Sequence, residues 1–299
     1  MYIDLHSHSN MSDGSLSPSD LIDLAVESNL SVIALTDHDT LDGIKEARNA
    51  VNKVNDKGAC ITFVPGVEIS VDYKGKNIHV LGLLIDEDSK VLNKALIDAK
   101  ENRSNRNEKM ASNFRQAGIP ITIDKLQNED DIKNFDKDSL KENDTVITRG
   151  HFATYLIENG YASSTEDAFD KYLGKDGPYY VSRDHLSPQE GIDLIHMAKG
   201  LAFMAHPFLY GFSDEELEDV IDEFKEMGLD GIEALHSTHS KTQENALFDL
   251  ANKHDLLITG GSDFHGQVKP NIKLGIGKGN MKIPYSIYEN IKKKKASIF

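Results

Sequence analysis

Histidine and acidic residues recur in short motifs along the chain, and their spacing is suited to binding metal ions. His6 and His8 form an HxH pair. Residues i and i+2 of an extended segment point the same way, so both imidazoles can reach one ion. The pair Asp263 and His265 repeats this spacing with mixed ligands, and Glu68 is a carboxylate in an apolar stretch, VPGVEIS. A buried carboxylate without a partner is costly, and a position between two metal ions would satisfy both of its oxygens.

The elements that position these residues are predicted from alternating apolar runs and amphipathic segments. Strands are expected at 2–5, 31–36, 61–70, 77–85, 201–205, 231–235 and 256–260. Helices are expected at 19–28, 42–54, 89–116, 148–160, 165–173, 187–199, from 213 onward, at 240–254 and at 286–295. Ligand-type residues lie at the C-terminal ends of six of these strands, at His6 and His8, Asp37–Asp39, Glu68, His206, His236, and Asp263 and His265. Because the active sites of (β/α) barrels lie at that face of the sheet, the pattern predicts a barrel with a metal site.

The strand–helix alternation is interrupted once, near 87–190. We therefore expect an α/β protein in which 1–86 and 191–299 form the barrel domain and 87–190 an inserted, mostly helical subdomain. Within the insertion, 120–143 is highly charged and weakly patterned, which predicts loops. Both strands that flank the insertion carry candidate ligands, so we expect it to form a cap over the active-site cleft.

The composition of the chain argues against several classes of protein. The chain has 299 residues, with 33 basic and 49 acidic side chains and a net charge of −16. This balance argues against a protein that grips long nucleic acid through a basic surface, although bound metal ions could supply positive charge for a nucleotide substrate. Cys60 is the single cysteine, which excludes a disulfide framework within the chain and a multi-cysteine zinc site. No apolar run approaches the roughly 18 residues of a membrane span, and no signal-peptide pattern is evident. We therefore expect a cytoplasmic protein without membrane contacts or a stable protein partner.

Several candidate residues also have simpler explanations. The Asp-Gly pair at Asp13 could be only a turn, and His79 could be an ordinary strand residue. His236 and His239 could cap the helix that follows them. His254 is expected to be a solvated histidine at a helix end. The metal interpretation depends on the motifs taken together rather than on any one of them.

The ordered motifs DLHSHSNMSDG, ALTDHDT, PGVEIS, HVLGL, MAHP and GGSDFHG span residues 4 to 266. In this order they resemble the polymerase and histidinol phosphatase (PHP) superfamily. Within it, the chain is most similar to small bacterial phosphoesterases that act on nucleoside 3′,5′-bisphosphates, some of which also trim RNA as 5′→3′ exoribonucleases. The narrower resemblance depends on Asp13, on HVLGL after Glu68, and on the segments TRGHFATYL and ALHSTHS.

The resemblance implies a distorted (β/α)₇ barrel of the TIM type that carries three divalent ions in a cleft. The ions would be held by His6, His8, Glu68 and Asp263; by Glu68, His79 and His206; and by Asp13, His38 and His265. All nine positions have the expected residue types. Imidazole and carboxylate ligands suit Mn²⁺, which we favour, as well as Fe²⁺ and Zn²⁺.

The resemblance also implies residues that act on the substrate. Glu68, Asp263 and His236 are the candidate catalytic residues, with His236 one candidate for the acid that protonates the leaving group. Candidate substrate-binding residues are Arg149, His151, Arg183, His236 and His239. Water whose pKa is lowered by two metal ions would supply the nucleophile for ester hydrolysis, and arginine suits the neutralisation of phosphate oxygens through its fork of donors.

Three functions stay open at this point. The first is a phosphatase that removes the 3′-phosphate of nucleoside 3′,5′-bisphosphates, with 5′→3′ exonuclease action on short RNA as an additional activity. The second is another small-molecule phosphatase, such as one acting on histidinol phosphate, although relatives of that type generally lack the TRGH insertion. The third is a non-catalytic PHP module, against which the intact ligand set and the length of the chain argue.

Overall fold

The computed structural model describes residues 2–126, 147, 149–174, 177–181, 186–279 and 281–299. Contacts between Cα atoms divide the chain into two compact units. The first, here the barrel unit, comprises Met1–Leu96 and His185–Phe299. The second, the inserted unit, comprises Ile97–Asp184. Most of 120–143, for which the sequence predicts loops, lies outside the described residues.

An eight-stranded sheet forms the centre of the barrel unit. Its strands are β1 (Tyr2–Asp4), β2 (Leu30–Leu35), β3 (Thr62–Tyr73), β4 (Lys76–Leu83), β5 (Leu201–Met204), β6 (Gly231–His236), β7 (Leu257–Gly261) and β8 (Ile283–Pro284). Their order in the sheet is β7-β6-β5-β4-β3-β2-β1-β8. β4 pairs antiparallel with both β3 and β5, and the two-residue β8 pairs antiparallel with β1. The other neighbouring strands are parallel.

The two sides of the sheet meet where the ends of β1 and β7 approach each other. The Leu5 amide donates to the Gly260 carbonyl at 3.1 Å, and the Asp263 amide donates to the His6 carbonyl at 2.9 Å. A parallel bridge between Ser7 and Phe264 continues this contact beyond the strands. The sheet therefore closes into a nearly complete barrel, which confirms the α/β barrel expected from the sequence.

The described residues also form α-helices. They are α1 (Pro18–Glu27), α2 (Ile44–Asp56), α3 (Lys90–Gln116), α4 (Arg149–Glu158), α5 (Thr165–Ala168), α6 (Pro188–Met197), α7 (Asp214–Glu226), α8 (Lys241–Lys253) and α9 (Tyr285–Ile298). Serine hydroxyls cap α1, α6, α7 and α8 by accepting a hydrogen bond from the third helical amide. This arrangement satisfies amides that have no partner within the helix. The element boundaries match those expected from the sequence to within a few residues.

Alternation along the strands divides the core into layers. In β2, Val32 and Ala34 pack into the cluster that includes α9, whereas Ile33 and Leu35 pack against α1 and α2. This alternation follows from the opposite directions of successive strand side chains. Apolar layers on the two faces of the sheet thus stabilise the barrel. The polar residues at the strand ends are not part of these layers and can form a site.

The inserted unit has its own apolar core. Phe114 of α3 and Phe152 of α4 are fully buried, with ring centroids 6.0 Å apart. Leu173, which ends a short π-helix (Phe169–Leu173) after α5, is buried in the same cluster. The helices expected at 148–160 and 165–173 are confirmed within the described residues.

One expectation about an individual residue is wrong. His254, which follows α8, is only 10% exposed rather than solvated, because its Nδ1 lies 2.7 Å from Asp222 Oδ1 on α7. In the part of the chain that the structure describes, no helix has both the length and the apolar character needed to cross a membrane.

Candidate metal centre

Nine side chains expected to bind metal ions lie together at one end of the barrel unit. We call them the rim cluster: His6, His8, Asp13, His38, Glu68, His79, His206, Asp263 and His265. The HxH pair behaves as its spacing predicts, since the Nε2 atoms of His6 and His8 lie 3.1 Å apart. Both side chains are fully buried. The extended backbone after β1 thus directs two imidazoles to one point.

The end of β7 is shaped to bring Asp263 to this pair. A Cβ atom at Gly261 would lie 2.2 Å from the Cβ of His6, so only glycine permits the two strands to approach so closely. Asp263 itself has a φ of +57°, in the left-handed region that favours glycine. Its Oδ1 lies 3.6 Å from His6 Nε2 and 3.4 Å from His8 Nε2. Backbone strain of this kind is concentrated at functional sites.

Glu68 projects from the middle of β3 into the centre of the cluster and is 1% exposed. Its Oε2 lies 3.3 Å from His6 Nε2, 3.2 Å from His8 Nε2 and 3.1 Å from His38 Nδ1. None of these contacts is a hydrogen bond, and Oε2 is buried without a partner. One oxygen of Glu68 therefore faces several imidazoles in a position suited to a shared cation.

The other oxygen of Glu68 faces a second pair of histidines. Oε1 lies 2.9 Å from His79 Nδ1 and 3.0 Å from His206 Nε2. His79 reaches it because β4 runs antiparallel to β3: Leu81 pairs with Glu68, so His79 is its diagonal neighbour on the same face. The reversal places the start of β4 beside the C-terminal ends of the parallel strands. His79, near the start of its strand, can thus join residues that lie at strand ends.

Asp13 anchors a third group. Its Oδ1 lies 3.2 Å from His265 Nε2 and 3.7 Å from His8 Nδ1, and its Oδ2 lies 3.7 Å from His38 Nε2. The His8 and His265 rings are stacked with centroids 4.2 Å apart. His38 thus lies between Asp13 on one side and Glu68 on the other.

These distances fit bound metal ions. Two ligand atoms that are each about 2.1 Å from one ion are separated by about 3 to 3.5 Å in tetrahedral or octahedral geometry. Within the described residues, three groups of the rim cluster bring their ligand atoms within 4.8 Å of one another: His6, His8 and Glu68; His38, Glu68 and His79; and His8, Asp13, His38 and His265. Glu68 belongs to two of them. His8 Nδ1, Glu68 Oε2 and His206 Nδ1 are buried without a hydrogen-bond partner, as expected of atoms that would coordinate an ion.

The pKa values of Glu68 and His8 also indicate that the rim cluster needs a cation. Burial alone would raise the pKa of Glu68, but the imidazoles of His38 and His79 hold the pKa well below its usual range. Burial would lower the pKa of His8, but the neighbouring carboxylates of Asp263 and Glu68 raise it to about 9. Buried acidic side chains are thus balanced by protons on some histidines, such as His8, whereas burial lowers the pKa of His38 to about 4. Metal ions bind neutral imidazole and would replace those protons.

His236 and His239, candidates for the substrate side, lie next to this group at the end of β6. His236 Nε2 is 3.5 Å from Asp263 Oδ2, and its Nδ1 accepts a hydrogen bond from the Thr238 amide at 3.3 Å. His239 Nδ1 donates to the Ala234 carbonyl at 3.0 Å. Both Nε2 atoms are buried without a hydrogen-bond partner. The two rings, with centroids 5.2 Å apart, therefore keep one nitrogen each for another contact.

Arg149 and His151 belong to the inserted unit, at the start of α4. The guanidinium of Arg149 lies over the rings of Phe169 and Tyr180, 5.6 Å from each centroid, and donates to the Leu173 carbonyl at 3.4 Å. Arg183 lies outside the described residues. The substrate-binding role of these three residues stays a prediction.

Comparison with known proteins agrees with this geometry. The PHP domain family matches residues 4–180. The chain belongs to this family. A PHP relative from Escherichia coli, named 5′-3′ exoribonuclease Rnm, is 36% identical over 272 residues, which cover 91% of this chain and 87% of the relative. A relative from Chromobacterium violaceum, named 3′,5′-nucleoside bisphosphate phosphatase, is 34% identical over 263 residues, or 88% of this chain and 87% of its own.

Solved structures give the same fold. One from Chromobacterium violaceum, described as an amidohydrolase with bound sulfate, matches with a TM-score of 0.76 and 31% identity over 98% of this chain and 97% of its own. Another, from Bifidobacterium adolescentis and described as a metal-dependent phosphoesterase, matches with a TM-score of 0.71 and 28% identity over 98% and 96%. This PHP protein is accordingly a phosphoric ester hydrolase, and its rim cluster is suited to divalent metal ions.

The sequence does not predict three residues that contact the rim cluster. Glu233 in β6 accepts from His6 Nδ1 at 2.9 Å and from the His206 amide at 2.8 Å, so it orients one histidine and the backbone of another. The sequence does contain a signal for Glu233, because it is a charged residue within the apolar strand GIEALH. Tyr210 accepts from the His79 amide at 2.8 Å, and Lys269 Nζ lies 2.7 Å from Asp263 Oδ2. Neither of these has a sequence signal, because both contacts arise from loop geometry.

Proposed function

We propose that this protein removes the 3′-phosphate from nucleoside 3′,5′-bisphosphates and uses three divalent ions held by the rim cluster, with Mn²⁺ the favoured metal. The observation that carries the proposal is the position of Glu68. Its two oxygens face two different sets of imidazoles, and it is buried where it needs a cation on both sides. A carboxylate placed in this way suits a centre that binds a phosphate ester between neighbouring ions.

The proposed ions are shared among the nine ligands as the family resemblance implies, with Glu68 as the bridge. When bound, such ions lower the pKa of water and neutralise phosphate oxygens. The chain's own residues prepare the site for this. Glu233 fixes the orientation of His6, and the close approach of β7 at Gly261 holds Asp263 against the HxH pair. The low pKa of Asp263, caused by His236 and His8 despite its burial, keeps this carboxylate charged as a ligand.

The proposal assigns the substrate side to Arg149, His151, Arg183, His236 and His239. For His236, a proton position supports the role: Nδ1 accepts from the Thr238 amide, so in the neutral ring Nε2 carries the proton. That nitrogen lies beside Asp263 without a hydrogen-bond partner, where it can hold or donate a proton to a substrate oxygen. Nucleotide substrates are supported by the C. violaceum relative's name.

A second candidate activity is 5′→3′ exoribonuclease action on short RNA. It is favoured by the names of the relatives from E. coli and Haemophilus influenzae, which are 36% and 34% identical to this chain. The net charge of −16 favours short RNA over long RNA as a substrate, because repulsion grows with the number of phosphates.

A phosphate-release panel with purified protein and Mn²⁺ tests these proposals. We expect release from adenosine 3′,5′-bisphosphate, and mononucleotide release from a 5′-phosphorylated RNA oligomer if the second activity is present. Release from histidinol phosphate instead would favour another small-molecule phosphatase. No release from any substrate, with metal bound, would favour a non-catalytic module and contradict the proposal. A Glu68→Gln preparation serves as the control for contaminating phosphatases.

A further inference from the structure

Lys269 reaches the rim cluster from the surface loop after β7. It follows a short 3₁₀-helix (Gly266–Val268) in which Val268 is 60% exposed. From this loop, Lys269 Nζ extends to within 2.7 Å of Asp263 Oδ2. The Asp263 side chain is 7% exposed, whereas that of Lys269 is 39% exposed. The lysine therefore connects a buried carboxylate with solvent at the mouth of the site.

Lys269 carries a positive charge at a site that otherwise contains several carboxylates. Asp13, Glu68, Glu233 and Asp263 place four carboxylates in or beside the cluster. Among the described residues, no other lysine or arginine forms an ion pair with any of these four. Without bound ions these carboxylates create a negative potential at this end of the barrel, which a fixed positive charge reduces.

The two oxygens of Asp263 have separate tasks. Oδ1 faces His6 and His8, whereas Oδ2 lies beside Lys269 and His236. An ammonium group has three donors, and Asp263 uses one of them. Because more than a third of the side chain is exposed, an anion can contact the remaining donors without moving the loop.

We propose that Lys269 is a phosphate-binding residue, whose ammonium is held by Asp263 Oδ2 and contacts an oxygen of the phosphate group that the rim cluster receives. This inference rests on the proposed phosphatase function but does not depend on which nucleotide is the substrate. It adds to the site a fixed positive charge that belongs to the chain itself. The contact with Asp263 places the charge next to a proposed metal ligand, so Lys269 faces the phosphate to be cleaved.

Binding of inorganic phosphate tests the inference directly. The dissociation constant is measured by isothermal titration calorimetry on the Mn²⁺-loaded wild-type protein and on Lys269→Ala, Lys269→Gln and Lys269→Arg. Loss of a charge-assisted contact should weaken phosphate binding about 10- to 100-fold in the first two variants, and Lys269→Arg should retain most of the affinity. Lys273→Ala is the matched control, because this exposed lysine lies four residues further along the same loop.

Metal content and kinetics separate phosphate binding from a structural role. Elemental analysis should show wild-type metal in Lys269→Ala and Lys269→Gln, and KM for a phosphate ester should rise in both. Unchanged phosphate affinity in both variants, or equal weakening in Lys273→Ala, would overturn the inference. Loss of phosphate binding only together with loss of metal would also overturn it, because Lys269 would then act only on Asp263. If no nucleotide is hydrolysed but phosphate binding still depends on Lys269, the proposed substrate fails and this inference stands.

Discussion

Among its described residues, the barrel unit contains two groups of histidine and acidic side chains that differ in their surroundings. The rim cluster gathers residues from the ends of several strands, with Glu68 almost fully buried at its centre. The second group, here the helix-pair group, comprises Glu218, Asp222 and His254 between α7 and α8. Its Asp222 is 54% exposed and pairs with His254 at 2.7 Å, while Glu218 pairs with Lys253.

The difference shows that residue type alone does not make a metal centre. In the helix-pair group, Glu218 pairs with Lys253, and Asp222 is exposed and lies beside His254, so neither carboxylate needs an ion. In the rim cluster, Glu68 Oε2 is buried without a hydrogen-bond partner and several imidazoles converge on it. Burying an unpaired carboxylate costs several kcal/mol by order of magnitude. We infer that this burial, together with ligands on separate strands, is what selects divalent ions at one end of the barrel.

The largest expected effect comes from Glu68→Gln, compared with Glu218→Gln. Loss of the central carboxylate removes ligands from two ions at once, so kcat/KM should fall by more than about 100-fold even at saturating Mn²⁺. The fall in kcat/KM should also be larger than in any variant of a single histidine that lies next to Asp13. Glu218→Gln should keep wild-type turnover, because its carboxylate pairs with a surface lysine. Steady-state assays on both proteins check this prediction.

Wild-type turnover in Glu68→Gln at saturating Mn²⁺ would remove the bridging role. A large loss in Glu218→Gln would instead show that the helix-pair group contributes to catalysis.

We expect Asp263→Asn and His6→Ala to lose metal and activity together. Metal affinity should fall by about 10- to 100-fold. Both residues face the same point as His8. Asp222→Asn is the matched control and should retain both properties. Elemental analysis and activity are measured on the same preparations. Full metal content in an inactive Asp263→Asn or His6→Ala protein would assign these residues a role other than ligand.

Much of this site could be predicted from sequence because its ligands occur in local motifs. The spacing of His6 and His8 fixes their common direction, and the apolar runs before the motifs fix the strand ends. The contact between His79 and Glu68 could not be derived in that way, because it requires the antiparallel direction of β4, which no local pattern specifies. Lys269 and Tyr210 were missed for the same reason: their contacts depend on how loops fold back onto the barrel. His254 was expected in solvent because its partner, Asp222, is 32 positions away in sequence.

A variant of Arg149, in the inserted unit, separates metal binding from substrate recognition. We expect Arg149→Ala to weaken kcat/KM for adenosine 3′,5′-bisphosphate by about 10- to 100-fold, with metal content unchanged, because a charge-assisted contact contributes about 1.5–3 kcal/mol. Hydrolysis of p-nitrophenyl phosphate should change much less, since it lacks a second phosphate. Equal losses on both substrates would place Arg149 at the cleaved phosphate. No loss on either would leave it a structural residue between Phe169 and Tyr180.

The smallest effect requires no substitution. In metal-free protein, the pKa of His8 is raised from 6.5 to about 9 by Asp263 and Glu68 despite its burial. The folded state therefore binds more protons than the unfolded state between these values, and its free energy of unfolding should fall as pH rises from about 6.5 to 9. Adding Mn²⁺ should reverse this trend, because metal binds neutral imidazole. Denaturant titrations at several pH values check both slopes, and parallel slopes with and without metal would contradict the account.

The number of ions per chain tests the central claim most directly. Wild-type protein, Glu68→Gln and Glu218→Gln are loaded with Mn²⁺, passed over a desalting column, and analysed for metal and protein in the same sample. We expect three ions per chain in the wild type and in Glu218→Gln, with at least one ion lost in Glu68→Gln. Equal metal content in Glu68→Gln and the wild type, or metal that is lost from Glu218→Gln instead, would contradict the claim that the buried carboxylate of the rim cluster organises the metal centre.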